Sequence, residues 1–168
     1  MPRIKRSVRT QTMATWQTRW ESLNKARWTY NLVPVLDSWC CITRAPVDNY
    51  IAQVMSGHGN FEVYRLKIGK TMRDACIWCN EEGEIDTAEH TLTHCAAWGR
   101  ERATLIRDCG FQWDIDPRCF ITIAAKESNW RAFAKFCGVV MRAKDQWRSE
   151  GAPNEGEGRV QNLPMVEE

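Results

Sequence analysis

Apolar residues recur at helical spacing along most of this chain. Between Gln11 and Leu32, Met13, Trp16, Trp20, Leu23, Arg27 and Tyr30 follow one another at alternating steps of three and four. That spacing puts them on one stripe of a helix and predicts Trp16 and Trp20 as core residues rather than base-stacking ones. Pro34 limits this helix, because the residue before a proline disfavours the helical region. Val35, Leu36 and Trp39 then resume an apolar face. Pro46-Val47-Asp48 opens a helix with Tyr50, Ile51, Val54 and Met55 on its buried side and Gly57 as its cap. The turn Ser56-Gly57-His58-Gly59-Asn60 leads into a short helix carrying Phe61, Tyr64, Leu66 and Ile68. Asp86 with Glu89 resembles a capping box and predicts a helix that delivers His90. Trp98, Arg102, Leu105 and Ile106 continue a stripe to Cys109, with Gly110 as cap. Asp116-Pro117 starts a segment through Ala125. Ser128 is placed to cap a last helix faced by Trp130, Phe133, Cys137, Val140, Met141, Lys144 and Trp147. No repeat and no strand-length alternation competes, so the expected fold is all-α.

The chain is 168 residues long, which suits one domain with tails. The reading is a mobile basic arm over 1–10, a helical domain over 11–150 that carries the cysteine and histidine site described next, and a disordered acidic tail over 151–168. Net charge is only +2, but its distribution is uneven. Residues 1–30 hold seven Arg and Lys against Glu21 alone, and residues 150–168 hold five Glu against Arg159. No apolar run reaches membrane-spanning length, so no membrane partner is expected. Pro2, Arg3, Lys5, Arg6 and Arg9 precede no apolar run, which predicts an intracellular, nuclear or cytoplasmic protein rather than a secreted one.

The sharpest chemical signal is C-x2-C-x10-H-x4-C, formed by Cys76, Cys79, His90 and Cys95. A tight cysteine pair and a returning His/Cys pair supply the corners of a tetrahedron that zinc prefers. With all four positions filled by protein, a Zn2+ ion here is expected to be structural, since a catalytic zinc keeps one position open. His94 competes with Cys95 as fourth ligand because it shares a helix face with His90, while the closing spacing favours Cys95. The chain has eight cysteines, and the five left over argue against a complete disulfide framework. His58 has no titratable neighbour in sequence and reads as structural.

Arg65, Lys67, Lys70 and Arg73 lie just before the site, and Trp78 lies within the knuckle, where it could offer a base-stacking face. The stretch 76–95 holds Glu81, Glu82, Glu84, Asp86 and Glu89 with no Lys or Arg. These carboxylates would repel phosphate, so RNA or DNA is expected along the basic segments. A magnesium nuclease built on Glu81, Glu84 and Asp86 is a weak alternative, because such a run usually forms solvated surface. No small-molecule substrate is indicated. The second functional reading is a structural domain that docks to a protein partner, zinc serving folding alone; the resemblance described next would make that partner a polymerase body.

Several pieces carry a resemblance: Trp16-Gln17-x-x-Trp20 with Arg27-Trp28-Thr29, Gly57-His58-Gly59-x-Phe61-x-x-Tyr64, Ala88-Glu89-His90 within the Cys/Cys/His/Cys site, and Trp98 with Arg102. In this order they resemble the region beyond the polymerase in arthropod non-LTR (LINE-type) retrotransposon reverse transcriptase polyproteins. The resemblance covers roughly Trp16 to Trp147. It implies a zinc-bearing carboxy-terminal region that assists handling of the element's RNA and target DNA. The chain has no Tyr-x-Asp-Asp motif and no adjacent Asp pair, so the resemblance carries no polymerase or endonuclease activity to it, and no enzyme is expected.

Overall fold

The computed structural model describes residues 2–43, 45–79 and 81–151. Among the described residues the protein is helical, with no strand beyond one antiparallel bridge, Ala75 to Ile85. The acidic tail expected after residue 151 lies outside the described residues. The helices are α1 (Pro2–Ser22), α2 (Arg27–Leu32), α3 (Leu36–Cys40), α4 (Asn49–Ser56), α5 (Glu62–Lys67), α6 (Ala88–Thr93), α7 (Gly99–Cys109), α8 (Phe120–Ala125) and α9 (Glu127–Ser149). Single 3-10 turns at Ala96–Trp98 and Pro117–Cys119 precede α7 and α8.

The last helix is the axis of the core. Trp130, Phe133, Phe136, Cys137, Val140 and Met141 of α9 are buried, and α7, α8 and α4 pack against it. Each such side chain contributes about 1.5–3 kcal/mol by leaving water. Trp39, Phe120, Trp130 and Phe133 form an aromatic cluster with ring centroids 5.4–6.0 Å apart. Expected helix ends are found at Gly57 and Gly110, both left-handed caps, and at Asp48, whose side chain accepts from the Ile51 N–H. Helix α9 begins one residue before Ser128, with Lys126 as its cap position and no side-chain cap bond.

The amino-terminal region departs from the periodicity in three ways. Helix α1 starts at Pro2, upstream of the apolar stripe, so the basic arm has helical backbone. Proline suits a first helical position, and the Arg and Lys that follow are good helix formers. The single helix expected to Leu32 is broken over 23–26, where Ala26 adopts a left-handed conformation with φ 56°. Tertiary bonds account for the break. Trp28 Nε1–H donates to the Val54 carbonyl at 2.7 Å and the Thr29 hydroxyl to Met55 at 3.0 Å, which commits α2 to α4. Trp20 Nε1–H donates to the Val33 carbonyl at 2.7 Å, and Gln17 bonds both Pro34 and Leu36, which holds α1 along the following segment. Arg27 closes the corner by donating to the Leu23 carbonyl at 3.1 Å. Trp16 is not a core residue. It is 53% exposed, because α1 leans on α3 rather than on α9.

Candidate metal centre

The chain reaches the site through a turn that only glycine permits. Gly59 has φ 109°, and a Cβ there would lie 2.0 Å from Gln53 Oε1. Gln53 in turn accepts from the Asn60 N–H, which sets Phe61 into the core and starts α5. His58 is exposed, with its ring 4.5 Å from that of Tyr64, away from the cysteines. After α5 the chain enters the knuckle Cys76-Ile77-Trp78-Cys79 and returns through a loop turned by Gly83. The return is pinned where the Cys76 N–H donates to the Glu84 carbonyl at 2.7 Å, beside the Ala75–Ile85 bridge. Thr87 then caps α6 by accepting from the His90 N–H at 2.9 Å, which points His90 inward. The Cys95 N–H closes on the His90 carbonyl at 2.8 Å, and the chain leaves the helix with Cys95 fully buried.

The knuckle, α6 and the turn that follows it thus bring Cys76, Cys79, His90 and Cys95 together. All four are buried, and their ligand atoms lie within 4.8 Å of one another. Cys76 Sγ is 3.8 Å from Cys95 Sγ, and Cys79 Sγ is 3.2 Å from His90 Nε2. A tetrahedral ion with metal–sulfur bonds of about 2.3 Å needs sulfur–sulfur edges of about 3.8 Å. The donor set and its spacing therefore fit a metal ion. The Cys95 thiol donating to Cys76 lets Cys76 ionise at about 5 and pushes Cys95 up. Burial raises Cys79. Metal uptake must displace these protons. Arg102 donates to the Cys95 carbonyl at 2.9 Å; burial lowers its pKa, and negative charge at Cys95 opposes that fall.

His94, the rival ligand, is exposed, its Nδ1 2.6 Å from the Thr93 hydroxyl and its Nε2 3.3 Å from Glu84 Oε2. It belongs to a second, more open grouping with Glu84 and His90.

Three sequence expectations are corrected by the packing. Trp78 is only 5% exposed, wedged between Trp98 and Trp147 at centroid distances of 5.4 and 5.5 Å. Its face is occupied, so it cannot stack on a base. Arg65 is not a free cation: it donates to the Lys70 carbonyl at 3.1 Å and lies 3.5 Å from Glu62. Lys67, Lys70 and Arg73 are exposed. Asp86 is neither a helix cap nor part of a solvated acidic run. It is 0% exposed and pairs with Lys144 of α9, itself 1% exposed, at 2.6 Å. Asp86 also accepts from the Glu62 N–H at 3.1 Å and the Thr91 hydroxyl at 3.3 Å. Nearby, Arg148 pairs with Glu62 and Asn60 donates to Asp145. This polar seam fastens the metal module to α9. The signal for it was a lysine on the otherwise apolar face of α9.

Fold and site together define a small helical domain whose middle third closes around a buried Cys3His cluster. The chain is similar to the retrovirus-related Pol polyprotein from type-1 retrotransposable element R1 4 of Nasonia vitripennis, at 27% identity over 139 residues. The match takes in 78% of this chain and 33% of that polyprotein, so the chain spans about a third of its relative's length. No protein-family model and no solved structure matches the chain. Among the described residues no helix is long and apolar enough to cross a membrane.

Proposed function

We propose that the chain is a zinc-ordered nucleic-acid-binding module, akin to the carboxy-terminal part of a retrotransposon reverse transcriptase and without polymerase activity of its own. The observation that carries this reading is the buried cluster of Cys76, Cys79, His90 and Cys95, a donor set that favours zinc over harder cations. Four protein donors leave no place for a reacting water, so the ion organises the fold. Similarity to a Pol polyprotein supports nucleic acid as the partner. Exposed cations supply the contact: Lys67, Lys70 and Arg73 beside the knuckle, with Arg9 and Arg19 on α1. Trp78 and Arg65 are left out of the interface because both are committed to internal contacts.

Metal analysis of the purified protein, followed by salt-dependent titration with RNA and duplex DNA, tests the reading. One equivalent of zinc is expected. If about five cations meet phosphates, log affinity on duplex DNA falls with log salt at a slope of about −4 to −5. Replacing Lys67, Lys70 and Arg73 together by Ala should flatten that slope by about 2.7. Binding that ignores salt, or survives the triple substitution unchanged, refutes the interface.

A protein-docking role is the second reading, favoured by one observation. Val8, Trp16, Leu23 and Val35 are large, apolar and exposed at the amino-terminal edge of the domain. A protein that binds zinc but no nucleic acid would shift the assignment to it.

A further inference from the structure

The acidic return loop reads as surface in sequence, yet one of its carboxylates faces the buried imidazole. Glu84 Oε2 lies 2.8 Å from His90 Nδ1, while Nε2 of the same ring faces Cys79 Sγ at 3.2 Å. His90 is 2% exposed, so its Nδ1 has no access to bulk water. The Nδ1 contact has ion-pair distance, although its angle falls outside that of a well-aligned hydrogen bond.

We infer that Glu84 is the positioning residue of the metal centre: its carboxylate accepts the Nδ1 proton of His90 and so presents the Nε2 lone pair to the ion. The inference rests on the metal-binding reading above. A metal-bound histidine that donates its second N–H to a carboxylate is fixed in tautomer and in ring angle, and such outer partners tune affinity.

One further contact singles out Glu84 among the loop's acids. Its backbone carbonyl takes the Cys76 N–H at 2.7 Å, so one residue grips the knuckle through its main chain and the histidine through its side chain. Any slip of the return loop would move a sulfur corner and the nitrogen corner together. The competing imidazole is differently engaged. The Thr93 hydroxyl donates to the Glu89 carbonyl at 2.8 Å and lies 2.6 Å from His94 Nδ1. His94 Nε2 lies 3.3 Å from Glu84, farther than His90 Nδ1, and its ring is exposed to solvent. Of the two imidazoles beside Glu84, His90 is the nearer and the buried one.

The test is a competition titration of zinc against a chromophoric chelator for the full chain and for Glu84→Ala, Glu84→Gln and His94→Ala. Nitrogen-15 spectra of the zinc-loaded histidines supply a second readout. Glu84→Ala should lose about 10–100-fold in zinc affinity. At saturating zinc its circular dichroism should match that of the unaltered protein, because the backbone bond to Cys76 needs no side chain. Glu84→Gln keeps an acceptor for Nδ1–H and should recover much of the loss. His94→Ala should bind zinc as tightly as the unaltered protein. The His90 Nδ1 proton should be resolved in the unaltered protein and exchange faster with solvent in Glu84→Ala. An unaltered protein that takes up no zinc sinks the metal reading and this inference with it. Zinc uptake that is normal in Glu84→Ala overturns only the role of Glu84. A second metal equivalent, lost in both Glu84→Ala and His94→Ala, also overturns it, since Glu84 would then be a ligand.

Discussion

Replacing Lys144 by Met removes the charge from an ion pair fully enclosed in the core and nearly conserves volume. Lys144 Nζ lies 2.6 Å from Asp86 Oδ1, 3.1 Å from the Thr91 hydroxyl and 4.5 Å from the centre of the Phe61 ring. Both charged residues are essentially inaccessible, so water cannot replace the lost partner. Removing one member of such a pair costs about 3–5 kcal/mol. The Glu62 N–H and Thr91 hydroxyl would remain on Asp86 and favour the lower part of that range. Against a total stability of about 5–15 kcal/mol this is a large fraction. Denaturant unfolding at saturating zinc, followed by circular dichroism, should show a lower midpoint with little change in slope. Lys144→Met combined with Asp86→Asn should recover part of the loss, because no unpaired charge is left inside. The defect should also depend on pH. Burial raises the Asp86 pKa, and Lys144 opposes that rise. A raised native pKa means stability that is full below the unfolded carboxylate pKa and declines as pH climbs through the native value. Without Lys144 that decline extends to higher pH, so the gap between variant and parent should widen as pH rises. A single substitution costing under about 1 kcal/mol, or a double substitution worse than the single, would refute the claim that the pair is desolvated and coupled.

Other outcomes follow from the same structure. Chelation should unfold at least residues 74–109, since structural zinc contributes about 10–16 kcal/mol in small peptides; an unchanged melting curve would count against the metal centre. Ala26→Gly should raise the melting temperature modestly, because a left-handed alanine costs about 1–2 kcal/mol that glycine avoids; a lowered melting temperature would show that Ala26 is not strained. Thr87→Ala should cost about 0.5–2 kcal/mol and weaken zinc binding as well, since the cap it removes sits on the His90 N–H. Stability lost with zinc affinity intact would separate the cap from the site.

Much of this was legible before any coordinates. Two glycine caps, the apolar face of α9 and the four donors follow from spacing, because caps and ligand sets are local chemistry. What spacing could not convey is what each face meets. The stripe of α1 is periodic, yet Trp16 is exposed because α1 packs on α3 rather than on α9. Asp86 stands where a helix cap belongs, and Thr87 performs that task one residue later. Its true partner, Lys144, is 58 residues away and invisible to any local window. Trp78 follows the same logic, since its neighbours Trp98 and Trp147 arrive from α7's entrance and from α9.

The donors close on one another in a nested order. Cys79 meets His90 across 11 positions and Cys76 meets Cys95 across 19. Widening the inner ring to the outer one adds only about 0.5 kcal/mol of closure entropy. An ion can therefore be gripped by a contiguous score of residues while the chain is still being synthesised, before α9 emerges to lock them in place.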